Sequence, residues 1–261
     1  MTVINYNKNF IFIHPRRTGG SSLVLSLLKF CNDKDKICDD VLNDHSDKWI
    51  NKELKMKFKP SLSKKFNFSG FKTYLLSFIK IIPFINYVIK FNYPPNFSLK
   101  IPFFVNKPDL YSHTTVEEVK KLVPSNFFQS AFKFTIVRNP YDQFLSFFRA
   151  SGTKKEFLDF TKKNACYFFN REIDNFYKDK SIYDKIIKFE NLEKDLIDLS
   201  KLLNLNENIY DIFKTIKVNE FKPDVGEKKV DKNIIDVNSK NIIYNSAKKI
   251  FDEYGYKREL N

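Results

Sequence analysis

The chain predicts an α/β fold: a central parallel sheet, helices on both faces and an inserted, mainly helical segment. Three observations carry that expectation. Short apolar runs rich in β-formers alternate with stretches at helical spacing, the pattern of a sheet buried on both sides. The first run passes through a glycine-bearing turn straight into a helix, which is the opening half of a βαβ unit. Hydrophobic residues make up 43% of the 261 residues, enough for the core of one large domain.

In chain order, Phe10–Ile13 is a continuous apolar run ending at His14-Pro15, as a buried parallel strand would be. Ser21–Phe30 places Leu23, Val24, Leu27 and Leu28 on one helical face. Between them lies Arg16–Gly20, a turn that two glycines free to bend sharply. Residues 31–70 are polar and charge-mixed, whereas 71–105 crowd Phe, Ile, Leu and Tyr between prolines; we read 40–108 as an insert within a single domain spanning 1–261. A helix begins near Thr114, where Thr114 with Glu117 or Thr115 with Glu118 forms a capping box. Phe132–Val137 is the second strand. Pro140 then opens a helix through Arg149, with Phe144, Leu145 and Phe148 on one face. Lys185–Phe189 is the third strand and leads into an amphipathic helix ending at Leu203. Ser239–Tyr254 is the closing helix, capped by Gly255.

Lys and Arg number 45 against 31 Asp and Glu, a formal charge of +14. That balance favours anionic partners, although lysine-rich solvated surface accounts for part of it. Cys31, Cys38 and Cys166 fit neither a disulfide framework nor a zinc spacing, and three histidines offer no metal cluster. The apolar run behind the polar Met1–Asn9 is too short for a signal peptide, so the expected location is cytoplasmic.

The strongest local signal is Arg16-Arg17-Thr18-Gly19-Gly20-Ser21-Ser22. Backbone N–H groups of such a turn share one concavity, and the helix start adds its positive end. Hydroxyls of Thr18, Ser21 and Ser22 and the fork-shaped cation of Arg17 suit phosphate oxygens. It is neither a Walker A loop nor a Gly-x-Gly-x-x-Gly turn, so alone it indicates an anion at a helix start. The second signal is Arg138 at a strand end with Ser146 on the next helix, able to converge on one phosphate.

Taken together, these segments resemble the sulfotransferase superfamily, in particular its carbohydrate O-sulfotransferase branch. Ile13–Leu23 is similar to the loop Ile-His-Ile-Pro-Lys-Thr-Ala-Gly-Thr-Ser-Leu, and Val137–Ser146 is similar to Val-Arg-Asn-Pro-Tyr/Trp-Asp-Arg-x-x-Ser. His113–Glu118, Lys188–Glu193 and Phe251–Tyr256 match further segments in the family's order. The resemblance implies a P-loop-like three-layer fold and transfer of a sulfuryl group from 3′-phosphoadenosine 5′-phosphosulfate (PAPS) to a carbohydrate or glycolipid hydroxyl, without a metal. Residues 16–22 would hold the 5′-phosphosulfate, and Arg138 with Ser146 the 3′-phosphate. Arg17 stands where the family has lysine and would meet the charge that develops on the leaving oxygen. His113 aligns with a family histidine and is the candidate base, with His14 its rival and a carboxylate of the insert a third option; Glu190 reads as a strand-end anchor. Gln143 stands where the family has arginine, which removes one expected contact around the nucleotide. A kinase of similar fold would need a Walker lysine and a magnesium pair. A nucleic-acid-binding module would account for the charge but not for five ordered motifs, so no nucleic-acid partner is expected. An inactive PAPS-binding protein is the remaining alternative.

One stretch stands outside these motifs. In Phe71–Phe91, Lys72, Lys80, Asn86 and Lys90 fall opposite Phe78, Ile81, Ile82, Ile85 and Ile89 at helical spacing, with Pro83 as a kink. Such a face either packs on the core as a roof over the acceptor cleft or rests on the inner face of an anionic membrane.

Overall fold

The computed structural model describes residues 2–32, 34–37, 113–153, 155–216 and 232–258. The insert at 40–108, with the amphipathic stretch 71–91, lies outside the described residues. The elements run β1 (Thr2–Asn5), β2 (Phe10–Ile13), α1 (Gly20–Leu28), β3 (Lys36–Ile37), α2 (Val116–Leu122), α3 (Ser125–Ser130), β4 (Phe132–Val137) and α4 (Pro140–Ala150). After these come α5 (Phe157–Glu172), a π-helical turn (Ile173–Tyr177), β5 (Lys185–Lys188), a 3₁₀ turn (Phe189–Asn191), α6 (Leu192–Leu202), α7 (Ile209–Thr215), α8 (Val237–Ser246) and α9 (Lys248–Tyr254).

The sheet order is β3-β1-β2-β4-β5. The expected parallel centre is present: β2 pairs with β4 and β4 with β5, both parallel. The polar-looking start of the chain departs from expectation, because Thr2–Asn5 is a fully buried strand paired antiparallel to β2. Its polar residues are bonded rather than exposed. Asn5 donates to Phe30 O at 2.9 Å and accepts from Lys8 N at 2.6 Å, closing the turn that ends at Asn9 with φ 52. β3 adds a second antiparallel edge.

Side chains alternate across the sheet with period two. Ile11, Ile13 and Val137 join the phenylalanines of α4 and α5 in one cluster, where Phe144 has five other phenylalanine rings within 6.0 Å. Phe10, Phe12, Phe134 and Ile136 face the other way; α1, α6 and α7, whose apolar residues fall outside that cluster, cover this side. The three-layer α/β arrangement is thus the one the alternation implies.

Of the two capping boxes considered, Thr115 with Glu118 forms. The closing helix is not continuous: Asp236 caps α8 by accepting from Ser239 N, and the path breaks at Ala247 before α9 ends at Gly255 in the left-handed region, φ 68. Sequence reading also missed α5, whose polar surface residues mask its buried Phe157, Phe160, Phe168 and Phe169.

Candidate functional site

The loop between β2 and α1 is shaped by contacts that leave no room for larger residues. Arg17 and Gly19 both take positive φ, 61 and 81. A Cβ on Gly19 would lie 2.4 Å from the Phe189 ring, and one on Gly20 would lie 1.7 Å from the His14 ring. Thr18 is fully buried and donates its hydroxyl to Pro15 O at 3.0 Å, so that proton closes the turn rather than facing a ligand. Gly19 precedes α1 without a side chain to cap it. His14 caps the helix instead, its Nε2 accepting from Gly20 N at 3.0 Å. Ser21 and Ser22, half-buried in the first turn, have no carbonyl one turn earlier for their N–H groups. This is the electropositive end of a helix.

Arg138, at the end of β4, arrives beside this loop from 121 residues away and donates Nη1 to Arg17 O at 3.3 Å. Its guanidinium lies 4.4 Å over the Phe189 ring, whose edge rests on Gly19. Burial, then the like charge of Arg138, lowers the Arg17 pKa; burial also lowers that of Arg138, against Asp142 and Glu190. Arg138 Nε is buried and, among the described residues, has no hydrogen-bond partner. Two partly desolvated guanidinia at a glycine turn are a ready site for a strongly charged anion. Ser146 is half-buried on α4, one turn on from Asp142 and three residues before Arg149, the two α4 charges that Arg138 feels. Helical spacing puts Ser146 on the same face of α4 as Asp142 and Arg149.

Glu190 fixes the start of α4: Oε1 accepts from Asn139 N at 2.6 Å and Oε2 from the Tyr256 hydroxyl at 2.8 Å. Lys188 donates to Tyr254 O at 2.6 Å. Glu190 is the anchor the sequence suggested, and it ties the end of β5 to the segment after α9.

His113 stands before α2, with its ring 5.6 Å from that of His14 and Nδ1 3.5 Å from His14 O. A carbonyl can only accept, so the contact favours the tautomer with the proton on Nδ1 and the lone pair on Nε2. Burial first, then surrounding positive charge that includes Arg16, lowers its pKa to about 2, partly offset by the His14 carbonyl. His14 is 3% exposed and also held well below 6.5 by burial. With Nε2 committed to Gly20, His14 is poorly placed to take a substrate proton.

Arg16 is gripped from both sides. Its amide donates to Glu172 Oε2 at 2.9 Å, and its carbonyl accepts from Gln143 Nε2 at 2.7 Å. Gln143, fully buried, thus buttresses the loop instead of leaving a gap. Among the described residues no group of His, Cys, Asp and Glu could hold a metal ion.

A family model described as "Sulfotransferase family" matches residues 105–256, more than half of the chain. The chain belongs to the sulfotransferase family. Neither the comparison with curated proteins nor that with solved structures returns a match. The matched region carries Arg138, Ser146, Glu190 and Tyr256, and it stops short of the loop at 16–22. Within this sulfotransferase, what joins the loop to the family region is contact: Arg138 on Arg17 O, Phe189 on Gly19, and Gln143 and Glu172 on Arg16. Sequence reasoning missed Glu172 and the role of Gln143. Neither had a local signal, because both act on backbone atoms more than 120 residues away.

Proposed function

We propose that this sulfotransferase takes its sulfuryl group from PAPS and passes it to a hydroxyl of a carbohydrate or glycolipid. The observation that carries this reading is the meeting of Arg17 and Arg138 at the glycine turn that starts α1. PAPS is anionic at both ends of its ribose. The two halves of the site fit that layout, with residues 16–22 for the 5′-phosphosulfate and Arg138 with Ser146 for the 3′-phosphate. The amides of Ser21 and Ser22 supply further donors at the start of α1.

The acceptor oxygen attacks sulfur in line. An O–S bond forms, the bond from sulfur to the bridging oxygen breaks, and adenosine 3′,5′-bisphosphate leaves with the electron pair. Negative charge grows on that bridging oxygen, where Arg17 stabilises the transition state more than the ground state. His113 takes the hydroxyl proton on Nε2. Its depressed pKa keeps it neutral in the empty protein, and an anion bound nearby raises its basicity by supplying the missing counter-charge. Phe71–Phe91 gives the reading a location, peripheral on the cytoplasmic face of the membrane, where a lipid-linked glycan would be at hand. Among the described residues no helix is long and apolar enough to cross a membrane.

The test is to measure binding of PAPS, ATP and an oligonucleotide in parallel, then transfer of labelled sulfate to sugar and glycolipid acceptors. PAPS binding with transfer supports the reading. Preference for ATP points to a kinase, binding without transfer to an inactive PAPS-binding protein, and preference for the oligonucleotide rejects the site. Cosedimentation with anionic and neutral vesicles, with and without Ile81→Glu plus Ile85→Glu, tests the membrane contact; failure to bind either returns 71–91 to the core.

A further inference from the structure

We propose that Glu172 is a positioning residue for sulfuryl transfer: it holds the amide of Arg16 and faces its guanidinium, and so fixes where Arg17 stands. The inference rests on reading 16–22 as the loop that holds the phosphosulfate.

Glu172 is the last residue of α5, and a π-helical turn follows it directly, a feature frequent at functional sites. Its side chain is fully buried. Oε2 accepts from Arg16 N at 2.9 Å, while Oε1 lies 3.8 Å from Arg16 Nε, an ion-pair distance too long for a hydrogen bond, and among the described residues Oε1 has no hydrogen-bond partner. A wholly buried carboxylate with one oxygen unsatisfied is costly, and such a group beside an anion site would repel the anion it helps to seat. Contact with the donor therefore does not explain it. What it does is mechanical. With Gln143 on the carbonyl side, it clamps both polar backbone atoms of Arg16. The next residue, Arg17, sits at φ 61, a conformation a side chain of its size adopts only when its surroundings impose it. Releasing the clamp lets Arg17 relax and carries its guanidinium away from Arg138 and the leaving oxygen.

The clamp depends on the charge of the carboxylate. Facing Glu172 are Arg16 from the loop, Arg171 from its own helix and Tyr177 from the π-helical turn. Burial outweighs these cations and lifts the carboxyl to about 7. Protonation then removes the ion pair and weakens the acceptor for Arg16 N. Activity toward the donor accordingly falls as pH drops through neutrality. His113, held near 2 in the free protein, titrates far below that limb, so the two residues are separable in kcat/KM, which reports free-enzyme groups.

The test compares wild type, Glu172→Gln and Glu172→Ala in steady-state kinetics with PAPS from pH 5.5 to 8.5, in calorimetric binding of adenosine 3′,5′-bisphosphate and in thermal melts. Glutamine keeps the shape and one acceptor. We expect it to lower kcat/KM for PAPS roughly tenfold at pH 8, and alanine on the order of 100-fold. Affinity for the bisphosphate, whose 3′-phosphate stays on Arg138, should fall by less than kcat/KM does, and the acidic limb near 7 should disappear in the glutamine variant. Wild-type kcat/KM with the limb intact in Glu172→Gln overturns the proposal. So does failure of both variants to fold, which makes Glu172 a residue of the fold alone. If folded wild type does not bind PAPS, the reading of the loop fails and this proposal goes with it, an outcome seen before any variant is made.

Discussion

Replacing Arg138 by alanine removes a side chain whose fold contacts are weak and whose proposed ligand contact is strong. Among the described residues it makes one long hydrogen bond, 3.3 Å to Arg17 O, and lies 4.4 Å over Phe189. A cation over a ring contributes about 0.5–1 kcal/mol at a partly exposed site. Against this, the deletion removes a buried Nε that has no partner and relieves repulsion with Arg17. The net change in stability should stay within about 1 kcal/mol. On the ligand side, a charge-assisted bond to the 3′-phosphate is worth about 1.5–3 kcal/mol, or roughly 10- to 150-fold in Kd. Titration calorimetry with adenosine 3′,5′-bisphosphate, paired with circular dichroism melts, separates the two quantities. Equal affinity in a folded variant refutes the phosphate assignment; collapse of the fold shows that Phe189 and Arg17 depend on this guanidinium far more than its contacts indicate.

Arg17→Ala should lose turnover by roughly 10²–10³ while losing less nucleotide affinity, and Arg17→Lys should keep measurable activity; single-turnover kinetics at saturating PAPS distinguishes this from a pure binding defect. Gly20→Ala drives a methyl into the His14 ring, so thermal unfolding should show a loss of about 1–3 kcal/mol, and the double variant with His14→Ala should lose less than the sum. His113 binds protons more weakly folded than unfolded, so its contribution to stability is lost as pH falls below about 6.5 toward the folded value near 2. Denaturant titrations should therefore show His113→Ala gaining on wild type as pH drops from 7 to 5; parallel curves would contradict the burial of the imidazole.

The loop, Arg138 and the three parallel strands were legible because each is written in a short run: a few residues rich in β-formers, or a glycine pair between a strand and a helix. Gly19 and Gly20 also showed why they are glycines only once Phe189 and His14 were seen against them. Thr2–Asn5 escaped because its polarity is satisfied internally, by bonds that join Asn5 to Phe30 and Lys8. Glu172 escaped for a deeper reason. An exposed-looking Arg-Glu pair in the last turn of a charged helix is indistinguishable in sequence from solvated surface, and the partner of Glu172 lies 156 residues earlier. Gln143 looked like a lost contact because only the family arginine was there for comparison, whereas its amide serves the loop backbone.

The stack of Gly19, Phe189 and Arg138 also has a consequence in time. A chain emerging from the ribosome presents the turn at 16–22 first, yet Phe189 and the Glu190 carboxylate that fixes Asn139 follow some 170 residues later. At the usual ~5–20 residues per second that is an interval of roughly ten to thirty seconds. Throughout it, the loop lacks the ring that packs on Gly19, and for its first two thirds Arg17 lacks the neighbouring cation as well. Nascent chains released before residue 190 should therefore be blind to adenosine 3′,5′-bisphosphate, and the nucleotide can stabilise the protein only as a finished product.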